Sequence, residues 1–256
     1  VTIYTMNSLF FVLNSQAQWV WQNPLPQGNT LNSVFFIDDN TGWTVGMKGT
    51  ILKTSDAGNT WDFQLSGLNM NLNKVYFINA LTGFALSDTS RMLTTTNGGA
   101  NWVFKFIGGN SILRGMLFLN QTTGFMCGYS ISEWKGVIYK TTNTGVNWEL
   151  KQVLSGDWER FTTIQQISTN LLFLGGGDAT LFQSIDTGNT WVRRSYYDLL
   201  DFNFIDSLNG IASSYSGTIR KTTNGGLNYP GSYTMPNLRC NSVKMVDDST
   251  AYCFGY

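Results

Sequence analysis

The stretch GTILKTSDAGNTW, Gly49 to Trp61, decides the reading of this chain because the sequence writes it five times. Later copies are SRMLTTTNGGANW (Ser90–Trp102), GVIYKTTNTGVNW (Gly136–Trp148), ATLFQSIDTGNTW (Ala179–Trp191) and GTIRKTTNGGLNY (Gly217–Tyr229). Their last residues, Trp61, Trp102, Trp148, Trp191 and Tyr229, lie 41, 46, 43 and 38 residues apart. A repeat near 40–45 residues fits the four-stranded blade of a β-propeller. The expected fold is therefore all-β, with five recognisable blades.

Each copy opens with a short apolar run. Ile51, Met92, Ile138, Leu181 and Ile219 share one column, and Lys53, Thr94, Lys140, Gln183 and Lys221 share another. Such alternation reads as a strand with one wetter face. Between them stand Leu52, Leu93, Tyr139 and Phe182, then Arg220, so the fifth copy is polar where the others are apolar.

A turn follows, of the form Ser/Thr-x-Asp/Asn-x-Gly-x-Thr/Asn-Trp/Tyr. In the first copy it is Thr54, Asp56, Gly58, Thr60 and Trp61. Asp56, Asn97, Asn143, Asp186 and Asn224 are placed to accept backbone N–H groups further along the turn. Gly58, Gly99, Gly145, Gly188 and Gly226 supply positive φ, and Trp61, Trp102, Trp148, Trp191 and Tyr229 anchor the next strand by burying a ring. This pattern resembles the Asp-box, or BNR repeat, of sialidases and other propellers. Asn and Asp serve this turn equally, but Asn is no general base. The assignment is structural for all five turns, with no catalytic residue among them.

Composition narrows the function classes. The chain has 256 residues, 16 basic and 16 acidic, with 12% charged and 14% aromatic residues. Without a basic run it lacks the footprint of nucleic-acid binding, and no apolar run reaches the ~20 residues of a membrane span. With no histidine there is no Ser-His-Asp or Cys-His triad, and three cysteines match no zinc spacing. No metal or cofactor is expected. Cys127 falls in the column of Val45 and reads as a small buried residue; whether Cys240 and Cys253 pair is left open.

In chain order, SLFFVL (8–13) followed by NSQAQ reads as the remnant of a signal peptide over residues 1–18. A single propeller domain is expected over 19–256, as part of a longer chain. LNSVFFIDDNTGWTVG (Leu31–Gly46) gives two strands around an Asp39-Asn40-Thr41-Gly42 turn, and later blades repeat it. After Tyr229, Arg239–Val246 and Thr250–Gly255 supply the first two strands of an incomplete sixth blade. Trp19–Gln22 is placed to close that blade with its outer strand.

The phrase LNSVFFIDDNTGWTVGMKGTILKTSDAGNTW and its copies resemble the photosystem II stability/assembly factor-like propellers. That resemblance implies a non-enzymatic assembly or binding scaffold. The leading SQAQWVWQNPLPQGN is similar to the start of secreted bacterial members, often exported by the type IX route. It implies a secreted or cell-surface protein, and a monomer with a protein or glycan partner is expected.

Function is sought on the blade face built from the second-to-third and fourth-to-first strand connections, where loops vary. There stand Glu133, Trp134 and Lys135, then Trp158 and Arg160, then Asp178, Tyr196 and Tyr197. Tryptophan, tyrosine and arginine are the residues that binding hot spots favour. The rival reading is a glycoside hydrolase, sialidase-like or otherwise. It needs two carboxylates about 5–10 Å apart, for which Glu133, Asp157, Glu159 and Asp178 are the candidates. The Arg-Ile-Pro signature of sialidases is absent.

Overall fold

A computed structural model of the chain describes residues 28–153, 159–177, 179–234 and 239–255. The proposed signal remnant, Trp19–Gln22, Asp157, Trp158 and Asp178 lie outside the described residues. The described part falls into two compact units, one within 28–153 and one within 159–255.

The first unit holds three four-stranded antiparallel blades. Blade 1 is β1 (Leu31–Phe36), β2 (Gly42–Gly46), β3 (Ile51–Thr54) and β4 (Asp62–Gln64). Blade 2 is β5 (Leu72–Phe77), β6 (Gly83–Ser87), β7 (Arg91–Thr95) and β8 (Val103–Phe106). Blade 3 is β9 (Ser111–Phe118), β10 (Gly124–Ser130), β11 (Gly136–Thr141) and β12 (Glu149–Val153). In the second unit, blade 4 is β13 (Thr163–Gln166), β14 (Leu172–Gly176), β15 (Ala179–Ser184) and β16 (Val192–Arg193). Blade 5 is β17 (Asp201–Phe204), β18 (Gly210–Ser213), β19 (Thr218–Thr222) and β20 (Gly231–Thr234). A sixth sheet pairs β21 (Cys240–Met245) with β22 (Ala251–Gly255).

The wetter face expected of the third strands is not there. Ile51 and Leu52, pointing to opposite faces, are both buried, as are Met92 and Leu93, and Ile138 and Tyr139. Second strands are buried along their whole length in blades 1, 2 and 4. The reason is stacking: each inner strand is covered by its neighbours and by the adjoining blade, so it reads as an apolar run on both faces.

Stacked rings carry that blade-to-blade contact. A ring at the start of one second strand lies on a ring at the end of the next blade's first strand. Trp43 lies 3.5 Å from Phe77, Phe84 5.2 Å from Phe118, and Phe173 4.1 Å from Phe204. Trp102 and Trp148, the Asp-box rings, meet Phe77 and Phe118 edge-on. Aromatic pairs of this kind add about 0.5–1.5 kcal/mol beyond burial.

The recurring glycine of the Thr-Gly and Asn-Gly turns exists for this ring. A Cβ on Gly83 would come within 2.4 Å of Phe77, and Gly124 and Gly210 stand likewise against Phe118 and Phe204. The turns themselves are held one residue earlier than the sequence implied. Asp38, rather than Asp39, accepts the N–H groups of Asn40 and Thr41, as Asn79, Asn120, Asp206 and Asp247 do in their own blades.

First strands of adjoining blades exchange hydrogen bonds through side chains. Asn32 donates to the Leu72 carbonyl at 2.9 Å, and Gln165 both donates to and accepts from the Phe204 backbone. Asp201 accepts from Thr163 on one side and from Ser242 and Val243 on the other.

Gly145 combines two constraints: its φ is 74°, and a Cβ there would sit 2.6 Å from the Phe84 ring. Gly145→Ala is expected to lower stability by about 2–4 kcal/mol, adding left-handed strain to overpacking. At Gly67, whose φ is 68° but which has nothing within 4 Å, alanine adds only the strain, about 1–2 kcal/mol. Urea midpoints of the two variants check the difference.

Candidate functional site

Thr54, Thr95, Thr141, Ser184 and Thr222 end the third strands and are fully buried. Each hydroxyl accepts the N–H of the turn glycine at 2.8–3.0 Å. Each also donates to the Asp or Asn two residues on. That acid or amide then accepts the N–H four residues further along, from Thr60, Asn101, Asn147, Thr190 or Asn228.

The fifth position follows the chemistry of the first acceptor. Where the turn holds Asp, a threonine hydroxyl donates to the second carboxylate oxygen: Thr60 to Asp56 at 2.7 Å and Thr190 to Asp186 at 2.6 Å. Where it holds Asn224, the side-chain NH2 instead donates to Asn228 at 2.9 Å. The glycines lie at φ 74–87°, and the residue before each is left-handed too: Ala57, Gly98, Thr144, Thr187 and Gly225. The sequence pattern marks only the glycine. The N–H of that preceding residue docks on a carbonyl of the first turn of the same blade, as Ala57 does on Asn40.

A latch between blades went unread. Three residues after the aromatic, Gln64 donates to the Gly98 carbonyl and Lys105 to those of Gly145 and Val146. Arg194, at the same place in blade 4, donates to the Asn224 and Gly225 carbonyls. Amide, ammonium and guanidinium share only their ability to donate.

In the two turns that hold Asp, the hydrogen bonds favour the carboxylate. The Thr190 contacts, then Ser184, hold Asp186 down to about 2, and the Thr60 contacts hold Asp56 below its ordinary value. Carboxylates held low stabilise the fold above the ordinary value of 3.8, and that stability is lost as pH falls toward 2. The double variant Asp56→Asn, Asp186→Asn should stay folded at pH 7 and lose less melting temperature than the parent between pH 4 and 2. Unfolding at pH 7, or an unchanged acid slope, would contradict the structural role.

Because the third-to-fourth turn docks on the first-to-second turn of each blade, the other two connections lie at the opposite end. In blade 3 the loop between β10 and β11 spans 131–135. It closes on itself: Trp134 N–H reaches Ser130 O, Ser130 N–H reaches Lys135 O, and Glu133 pairs with Lys135 at 3.3 Å. Trp134 adopts φ 56° and lays its ring parallel to Tyr129, 5.9 Å away, leaving 39% of it exposed. This tryptophan therefore both packs on its own blade and meets solvent.

In the second unit tyrosine–arginine pairs stand along the fourth-to-first connection of blade 4 and on the loop after β18. The Arg193 guanidinium lies 5.2 Å from the Tyr196 ring, which is 83% exposed. Arg220 lies 5.0 Å from Tyr197, which meets Tyr229 edge-on. Arg239 lies 4.3 Å from Tyr215 on the loop after β18. Tyr196 and Tyr197 were expected here; Arg193, Arg220, Tyr215 and Arg239 were not, although Arg220 was the polar intruder in its column. Arg160 is half-buried.

Glu159 corrects the carboxylate cluster. It is buried, accepts the Thr180 N–H and hydroxyl at 3.1 and 3.0 Å, and pairs with Arg193 at 2.9 Å. Burial pushes its carboxyl up, against these contacts. It ties the start of blade 4 to β15 and β16 and offers no oxygen to a substrate. Glu133 is exposed but paired within its own loop. Cys127 is buried, with its thiol pushed up to about 12 by that burial. Cys240 and Cys253 form a disulfide. Among the described residues no group of three or more His, Cys, Asp or Glu is placed to hold a metal ion, and no helix is long and apolar enough to cross a membrane.

The structure is similar to YCF48 from Cyanidioschyzon merolae, at 19% identity and TM-score 0.51, covering 91% of this chain and 94% of that one. It is likewise similar to a structure of YCF48 bound to D1 peptide, at 18% identity and TM-score 0.51, covering 91% and 92%. A Niastella koreensis GH74 enzyme shares the fold at 16% identity and TM-score 0.62, over 78% of this chain and 37% of that one. These likenesses establish the β-propeller fold. No curated protein matches the sequence. The family model described as photosynthesis system II assembly factor YCF48 matches residues 13–156, more than half of the sequence, and the chain belongs to that family.

Proposed function

We propose that this chain is a non-catalytic scaffold, secreted or at the cell surface, that binds a protein or glycan partner as a monomer. One observation carries the reading: the loop end of blades 4 and 5 presents Tyr196 and Tyr197 to solvent, each backed by an arginine. A ring held by a guanidinium is rigid, so it loses little entropy on contact, and tyrosine with arginine dominates binding hot spots. In blade 3 the half-exposed Trp134 ring, stacked on Tyr129, is a separate candidate contact. Family membership supports a scaffold, and the similar YCF48 structure bound to a peptide supports a protein partner over a glycan. The Cys240–Cys253 disulfide supports the extracytoplasmic placement, since structural disulfides persist in oxidising compartments.

Peptide and glycan arrays on the parent protein, with a hydrolysis screen over glycosides, test this directly. Binding without turnover is expected, and Tyr196→Ala with Tyr197→Ala should weaken it by about 30-fold, a loss of ~2 kcal/mol. Glu133→Gln with Asp157→Asn and Asp178→Asn should leave it within about twofold. Turnover of any glycoside that disappears in this carboxylate variant would establish the hydrolase instead.

A further inference from the structure

The sixth sheet departs from the other blades at one pair of columns. Position 31 of blade 1 recurs as Leu72, Leu113, Phe161 and Leu199, then becomes Cys240. Position 44 recurs as Ala85, Met126, Leu174 and Ala212, then becomes Cys253. In blades 2 to 5 these residues are fully buried. At this one place a covalent bond stands where the other blades use apolar contact.

We propose that the Cys240–Cys253 disulfide is a redox-sensitive staple that holds β21 and β22 folded against blade 5. Its Cα atoms are 5.8 Å apart, with Cys240 buried beside Ile211, Val243 and Met245 and Cys253 half-buried at the margin of that cluster. Against blade 5 the sheet is also held by Asp201, accepting from Ser242 and Val243, by Asn203, accepting from the Met245 N–H, by Lys221, donating to the Asp248 carbonyl, and by apolar packing on Ile211. Cys253, the more accessible sulfur, is the point of entry for a dithiol. A thiolate of the reductant attacks it, the S–S bond breaks, and Cys240 leaves as a thiolate. The second thiol of the reductant then closes its own disulfide and releases Cys253. Two electrons pass to the protein, and both thiolates take up protons. With the cross-link gone, the chain between residues 240 and 253 regains the freedom the bond removed. The sheet then opens locally while blade 4 stays folded. The inference is independent of the partner-binding reading.

Thiol counting and hydrogen exchange on the parent protein, with and without dithiothreitol, test it. Before reduction, denatured protein should show one reactive thiol, Cys127, and after reduction three. Amide exchange over 240–255 should rise ~10-fold or more on reduction, with β14 unchanged. Cys240→Ala with Cys253→Ala should reproduce the reduced pattern without dithiothreitol and no longer respond to it. Three thiols before reduction, a rise below ~10-fold, an equal rise at β14, or a variant still responsive to dithiothreitol would each overturn the staple.

Discussion

A buried hydroxyl at the end of each third strand fixes everything that follows it. In Thr54, Thr95, Thr141, Ser184 and Thr222 this oxygen accepts the glycine N–H and donates to an Asp or Asn, and that side chain closes the turn. The hydroxyl is sealed from water, so its hydrogen bonds face no solvent competition, and losing either would leave a buried polar group unsatisfied. The closed turn aims the aromatic residue back between blades. From there Trp102 and Trp148 meet edge-on Phe77 and Phe118 of their own blades, the rings that stack on the preceding blade. Local turn chemistry thereby sets the register of tertiary packing.

Around this buckle the blades of each unit are joined at three depths. First strands exchange side-chain hydrogen bonds, as Asn32 with Leu72 and Gln165 with Phe204. Second strands contribute the stacked rings, Trp43 on Phe77 and Phe173 on Phe204. Fourth strands contribute the latch to the next turn, by Gln64, Lys105 and Arg194. One end of every blade is consumed by this bracing. The opposite end bears less of it, so its loops are free to differ in length and chemistry.

The turn pattern, the strand order and the glycines at positive φ were legible because they rest on local backbone geometry. What was not legible depends on distant partners. Gly83 reads as a turn residue until Phe77 is seen lying over it. The latch is invisible because Gln64, Lys105 and Arg194 share no residue type. Glu159 reads as a loop carboxylate because it sits in the connection GDWER (156–160) beside Asp157 and Arg160. Its real partners, Thr180 and Arg193, stand 21 and 34 residues away and draw it into the blade. Arg220 was visible as an exception in its column, but only the fold shows that Tyr197 accounts for it.

The central claim is that Asp-box carboxylates are turn closures with no capacity left for chemistry. Carboxyl-carbon NMR titration of Asp186 reads this directly. A midpoint at about 2, as its contacts with Thr190 and Ser184 dictate, is the predicted result. A midpoint at or above the ordinary 3.8 would show an acid free of the turn and would contradict the account.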